Sequence, residues 1–315
     1  MKALAIIELG RRAQLIELPC PTPAAGEVLI RTQFSGVSMG TEMAIAGGLR
    51  TDYGPPPFVI GYQAVGEVIQ TGVGVTNCRA GEAVAVYCRG AHREFITTQS
   101  AWVHPLVPAP ARPEMALFVQ PSVATHALNQ AEIAPGNTVL VIGQGLIGQC
   151  AAALARLRGA TVVACDVAPA RLEMSRRFCA DEVFDASGLS ISAATRVQRP
   201  DGFDVVLEST GLNRMIDDAM GCCRLEGKFV FLGWYPGKIS FDFMIPHQKQ
   251  LRAFFPSFIG PPAVREMALR LLASGALPMK EMISHLVSAA EAGAIYNELL
   301  TGDQARFNGI VIDWR

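Results

Sequence analysis

The sequence is short of charge. Its 27 basic and 28 acidic side chains make up 17% of 315 residues and leave a net charge of -1. No run of lysines and arginines occurs, which removes the electrostatic footprint of a phosphate-backbone binder, so no nucleic-acid partner is expected. The eight cysteines, Cys20, Cys78, Cys88, Cys150, Cys165, Cys179, Cys222 and Cys223, contain no C-x-x-C spacing of the kind used by zinc knuckles and dithiol redox centres. Several sit in strand or helix patterns where a small thiol packs into a reduced core, and the adjacent Cys222 and Cys223 read as packing at a helix end. No signal segment is expected, because Met1–Glu8 meets an acid too early for an apolar h-region and reads as a first strand. No membrane span is expected either. The apolar stretch from Val139 to Leu157 is interrupted by Gln144, Gln149, Arg156 and three glycines, which fits a strand, a turn and a helix. These absences point to a cytoplasmic protein. A 50% hydrophobic share over 315 residues implies extensive burial in two domains.

What is present centres on Asn137-Thr-Val-Leu-Val-Ile-Gly143-Gln-Gly145-Leu-Ile-Gly148-Gln-Cys150. Thr138 to Ile142 is a continuous apolar run, as a parallel strand covered on both faces should be. Gly143 permits a tight turn, Gly145 lets the backbone approach a pyrophosphate, and Gly148 lets the next helix pack closely. Leu146, Ile147 and Gly148 then aim free N–H groups at the anion. A second strand, Thr161 to Asp166, ends in an acid at the spacing expected for a dinucleotide site. Asp166 is expected to hold the adenosine ribose hydroxyls and repel a 2′-phosphate, favouring NAD(H) over NADP(H). Arg171, one helical turn further, lies along that ribose or is a solvated helix residue; if it bound a 2′-phosphate, the preference would weaken. Ser209, Thr210, Gly233 and Trp234 follow later strands and fall at the carboxyl edge of the sheet, where cofactor and substrate bind.

The pattern along the chain predicts an α/β protein. Residues 1–120 are rich in short alternating strands and turns and read as a small, partly open β-barrel. Residues 121–254 alternate strands with helices, which gives a doubly wound parallel sheet. Strand-like Leu251–Phe255, helices at Pro262–Ser274 and Ala289–Leu300, and a closing strand Gly309–Trp314 follow; 255–315 is expected to complete the first domain. The strand-like Ile239–Met244 would extend the sheet of one protomer into another's, predicting a homodimer.

Several further motifs accompany this order: Leu18-Pro-Cys-Pro21, Gly26-Glu27-Val-Leu-Ile-Arg, Ser35-Gly36-Val37-Ser38, Gly61-Tyr-Gln-Ala-Val-Gly66, Gly81-Glu-Ala-Val84, Pro135-Gly136 and Glu208-Ser209-Thr210-Gly211. With them the chain resembles the medium-chain dehydrogenases and reductases over nearly its whole length. The resemblance implies a GroES-like β-barrel catalytic domain and an inserted Rossmann domain for NAD(P). It also exposes departures. Zinc-dependent members place a cysteine where this chain has Ser38, a histidine and glutamate where it has Tyr62 and Gln63, and a cysteine or glutamate where it has Gln120. Hydroxyls and amides do not replace thiolate, imidazole or carboxylate donors, so no zinc is expected. The run Ser38-Met-Gly40-Thr41-Glu42 with Gly61-Tyr62 is most similar to a zinc-lacking branch that includes the dehydrogenase of bacteriochlorophyllide a.

Without a metal, hydride transfer to a carbonyl needs a hydrogen-bond donor for the developing alkoxide, and Tyr62 occupies the former ligand position. Glu42 is read as its proton relay or orienter, or as a residue of a helix first turn; Ser38 adds a second hydrogen bond. Gln63, Gln120, Trp234 and His92 are candidate substrate-pocket residues. Arg50 and Tyr53, in a loop ending in three prolines, are candidate specificity contacts. His126, His104, His247 and His285 are assigned no role. The expected activity is zinc-independent, NAD(H)-dependent interconversion of a secondary alcohol and ketone. An NADPH-dependent reductase of enones or quinones and a non-catalytic dinucleotide-binding sensor or structural subunit are the alternatives.

Overall fold

The protein is described by a computed structural model covering residues 1–106, 109–302 and 304–315. The chain opens with β1 (Lys2–Glu8), β2 (Arg12–Glu17), β3 (Glu27–Val37), α1 (Met39–Ala46), β4 (Phe58–Val59) and β5 (Gln63–Thr71). Next come β6 (Ala83–Tyr87), β7 (Phe95–Gln99), β8 (Val103–Pro105) and α2 (Val119–Gln130). Alternation then sets in: β9 (Thr138–Ile142), α3 (Leu146–Leu157), β10 (Thr161–Asp166), α4 (Pro169–Phe178), β11 (Glu182–Asp185), α5 (Ile191–Arg196), β12 (Phe203–Glu208) and α6 (Ile216–Gly221). It continues through β13 (Cys223–Phe231), α7 (Met244–Lys249) and β14 (Arg252–Phe254). The chain closes with α8 (Pro262–Ser274), α9 (Met279–Met282), β15 (Ile283–Ser288), α10 (Ala292–Thr301) and β16 (Gly309–Asp313).

Two compact units result, one from residues 1–119 with 269–315, the other from residues 120–268. The first is built on a sheet in the order β15-β16-β3-β5-β6-β8, with β7 also on β3, and a separate antiparallel β2-β1-β4 sheet. Both ends of the chain meet in it, since β16 runs antiparallel to β3 with Ile310 opposite Val37. Its core includes Leu4, Ile6, Ile45, Ile60, Tyr296, Phe307 and Ile310, all essentially inaccessible. Gly36 is required at the β3 crossing, because a Cβ there would lie 2.2 Å from the Ala116 carbonyl oxygen.

The second unit holds a wholly parallel six-stranded sheet in the order β11-β10-β9-β12-β13-β14. Its strands read as apolar runs because helices cover the sheet: Val139, Leu140, Val141, Val162, Ala164, Val206 and Leu207 are buried. The strand order reverses between β9 and β12, which opens a crevice at their carboxyl ends. The apolar stretch that resembles a span is β9 and α3, and among the described residues no helix is long and apolar enough to cross a membrane.

One expectation needs correction: residues 255–268, expected with the first domain, fall in the second unit, where β14 pairs in parallel with β13, Phe229 opposite Ala253. Ile239–Phe243 pairs with no described strand of this chain, and Phe241, Phe243 and Met244 stand exposed.

Candidate active site

In the second unit the site is set by the turn between β9 and α3. Gly143 has φ +88°, and a Cβ on it would crowd the Ser209 hydroxyl and Thr210. A Cβ on Gly148 would lie 2.0 Å from the Gly143 carbonyl oxygen, so that glycine is what lets α3 approach the strand. Gly145 differs: nothing lies within 4 Å of its would-be Cβ. It stands at the N-cap of α3 with no side chain capping the helix, leaving the first-turn N–H groups of Leu146, Ile147 and Gly148 for an anion. Gly145 and Ile147 are partly exposed there, whereas Leu146 and Gly148 are buried.

Asp166 closes the other side of that turn. Its Oδ2 accepts the Gln144 N–H at 2.5 Å, and its Oδ1 accepts the N–H groups of Val167 and Ala168 at 2.7 and 2.8 Å. Three backbone donors therefore fix the carboxylate and leave acceptor capacity on Oδ2. Gln144 turns inward, donating to the carbonyls of Val141 and Gly143 and accepting from the Ser175 hydroxyl at 2.8 Å, so it ties the turn to α4. Arg171 lies on the first turn of α4, partly buried. The turn offers an anion cradle and an acidic ribose acceptor, which fits a dinucleotide.

The later loops are organised by a buried carboxylate to which the sequence motif alone assigns no role. Glu208, at the carboxyl end of β12, accepts from the Thr210 N–H at 2.8 Å, the Gly211 N–H at 3.1 Å, the Thr210 hydroxyl and the Tyr235 hydroxyl. Burial and the neighbouring Glu208 charge push the Tyr235 phenol far above its ordinary range. Ser209 donates to the carbonyls of Ile142 and Gly143, each at 2.8 Å, and so locks the glycine turn through the backbone. Gly233 packs on Gly211, and Trp234 is 38% exposed beside them. A concavity of about 430 Å³ among α5, α6 and α7, lined by Arg196, Asp218 and Lys249, shares no residue with this group.

In the first unit, Ser38 is the N-cap of α1 and its N–H donates to Glu42 Oε1 at 2.9 Å. Its hydroxyl and that of Thr41 hydrogen-bond the Tyr62 phenol, whose ring is partly exposed and meets Tyr87 edge-on at 5.8 Å. Burial, and next the Glu42 charge, raise the Tyr62 pKa well above the ordinary phenol range, outweighing the two hydroxyl contacts that lower it. Tyr62 is therefore a phenol at any physiological pH. Glu42 is fully buried and also accepts from His92 Nε2 at 2.9 Å and from the Tyr296 hydroxyl.

Three expected pocket residues are buried. His92 is inaccessible and uses both ring nitrogens, one on Glu42 and one on Ser35. Gln63 is inaccessible, and its Oε1 accepts the Val119 N–H at 3.0 Å. Gln120 is buried on α2. Arg50 is paired with Asp52 at 2.9 Å, and Tyr53 lies under Arg89 with its hydroxyl on the Gly61 carbonyl, so both are held by neighbours within their own loop and strand. Sequence gave no signal for Tyr296, Ser35 or Trp314, because each reaches the group across long separations, 254 residues for Tyr296 and Glu42.

Residues 24–109 match the family model for the alcohol dehydrogenase GroES-like domain, and residues 147–274 match that for zinc-binding dehydrogenases. The chain is 27% identical to L-galactonate-5-dehydrogenase of Escherichia coli strain K12, covering 92% of this chain and 93% of that one. It is 26% identical to D-xylulose reductase A of Aspergillus oryzae, over 88% and 87% of the two chains. A zinc-binding dehydrogenase from Sinorhizobium meliloti 1021, solved bound to NADP, superposes with a TM-score of 0.88 over 99% of both chains at 23% identity, a likeness of fold. At Ser38, Tyr62, Gln63 and Gln120 this chain offers hydroxyls and amides rather than the thiolate, imidazole and carboxylate donors zinc prefers. Among the described residues no three histidine, cysteine, aspartate or glutamate side chains converge, and the adjacent Glu42 and His92 are buried against each other.

Proposed function

We propose that this chain, which belongs to the medium-chain dehydrogenase/reductase superfamily, interconverts a secondary alcohol and a ketone with NAD(H) and without zinc. The observation that carries the reading is Tyr62, a phenol kept protonated and held by Ser38 and Thr41 where the superfamily's resemblance puts a metal ligand. It supports membership of the zinc-lacking branch. The curated relatives act on polyhydroxylated compounds, L-galactonate and D-xylulose by name, so a small polyol or sugar-acid alcohol is the proposed substrate class.

A bound reduced nicotinamide supplies the hydride. The chain's own residues do the rest. The N–H groups of Leu146 to Gly148 bind the pyrophosphate and Asp166 the adenosine ribose; the Asp166 charge repels a 2′-phosphate and supports NAD(H). Tyr62 hydrogen-bonds the carbonyl oxygen through its Oη–H as charge develops there, and the proton that completes the alcohol is relayed from solvent through the partly exposed Ser38 and Thr41 hydroxyls and Oη, so that no phenolate is left. One such donor is worth about 3–4 kcal/mol.

Initial rates with NADH and NADPH on two substrate panels test the reaction class. Polyhydroxy ketones are expected to be reduced with NADH. Reduction of enones or quinones with NADPH alone would replace this reading with a C=C reductase, and binding without turnover on either panel would leave a dinucleotide sensor.

A further inference from the structure

Behind Tyr62 lies a continuous buried hydrogen-bond array built from both ends of the chain. Trp314 Nε1 donates to Ser35 Oγ at 2.8 Å; Ser35 Oγ contacts His92 Nδ1 at 2.8 Å; His92 Nε2 contacts Glu42 Oε2 at 2.9 Å. Tyr296 donates its hydroxyl to the same carboxylate oxygen, and the Ser38 N–H donates to the other at 2.9 Å. Ser35, Glu42, His92 and Tyr296 are inaccessible to solvent, and Trp314 is 9% exposed.

The donor inventory sets the direction of this array. An indole N–H only donates, so Ser35 Oγ accepts from Trp314. With the remaining Ser35 proton on His92 Nδ1, His92 carries its own on Nε2 and donates it to Glu42. Every partner of the Glu42 carboxylate is thus a donor, which calls for the ionised acceptor form. Close packing enforces the geometry. Gly61, at φ +89° immediately before Tyr62, lies so near the His92 ring that a Cβ would fall 2.5 Å from its Cγ. Tyr296 meets the same ring edge-on at 5.8 Å.

We propose that Trp314, Ser35, His92 and Tyr296 are positioning residues that hold Glu42 as a fixed buried anion and, through the Ser38 N–H, lock the first turn of α1, so that Tyr62 acts as an obligate hydrogen-bond donor. The proposal rests on the reading of Tyr62 given above and extends it to residues that touch no substrate. The groups facing Tyr62 are Glu42, the Ser38 and Thr41 hydroxyls and Tyr87. Those facing Glu42 are His92, Tyr296, Tyr53 and Tyr62, with Arg89 over the Tyr53 ring at 4.1 Å. The Glu42 charge opposes phenolate formation at Tyr62. This arrangement suits a hydrogen-bond donor.

Ultraviolet titration of tyrosinate on the cofactor-free protein tests it, with Tyr62→Phe assigning one of the five tyrosines by difference. In Glu42→Gln the Tyr62 ionisation is expected to move down by roughly 1 to 3 pH units, the effect of removing one neighbouring charge. An unmoved Tyr62 component would overturn the proposal. This arm needs no turnover, so it stands apart from the assignment of the reaction. The second arm compares His92→Leu with His92→Gln, NADH binding serving as the fold control. His92→Leu is expected to lower kcat by about tenfold to a hundredfold with KM for NADH unchanged, and His92→Gln, which keeps an N–H for Glu42, to restore most of it. Equal kcat in both variants would overturn the positioning role.

Discussion

At the scale of a single side chain, the proposed preference for NAD(H) rests on Asp166. Its three backbone donors hold it whether or not a dinucleotide is bound, so the charge is preorganised at the ribose position. Asp166→Asn keeps an acceptor and removes the repulsion. Its NADH affinity is expected to fall about tenfold, the equivalent of one weakened charged hydrogen bond, while NADPH affinity rises; nicotinamide fluorescence titrations measure both. A wild type that prefers NADPH would place Arg171 on a 2′-phosphate instead. Asp166 was legible in the sequence because its partners, Gln144, Val167 and Ala168, lie within 22 residues. His92 was not. It was read as a pocket residue because nothing local shows that Ser35, 57 residues away, and Glu42, 50 residues away, would enclose it.

At the scale of elements, the β9–α3 turn separates what the fold needs from what the ligand needs. Gly148→Ala puts a methyl against the Gly143 carbonyl oxygen and is expected to destabilise the cofactor-free protein by about 1–3 kcal/mol or more, seen as a lower melting temperature. Gly145→Ala meets open space and has an ordinary backbone conformation, so stability should stay within about 0.5 kcal/mol while dinucleotide affinity drops. Equal melting losses in both would contradict the division of roles. Strands with continuous apolar runs, β9 and β10, were legible to the residue. The start of β13 was not: Cys223 to Glu226 is mostly exposed, and Glu226 takes φ +56°, so no apolar run marks those residues as strand.

At the scale of the whole molecule, the first unit is assembled from both chain ends, and its chemistry depends on that closure. β3 and α1 supply Ser35, Ser38 and Glu42; β16 and α10 bring Trp314 and Tyr296 across more than 250 residues. Composition and motif order made the two-unit architecture legible, because each unit carries its own periodicity. The buried array joining the chain ends was legible only in part: Glu42, Ser38 and His92 stood out as candidates, but nothing local joins them to Tyr296 and Trp314. The central claim is that this assembly performs carbonyl chemistry with a phenol in place of a metal. The most direct test is the NADH-dependent turnover of chelator-stripped protein, wild type against Tyr62→Phe. Stripped wild type is expected to keep its full rate with no gain on adding zinc, and Tyr62→Phe to lose about 10²–10³ in kcat. Loss of activity on stripping with recovery by zinc, or an unaffected Tyr62→Phe enzyme, would contradict it.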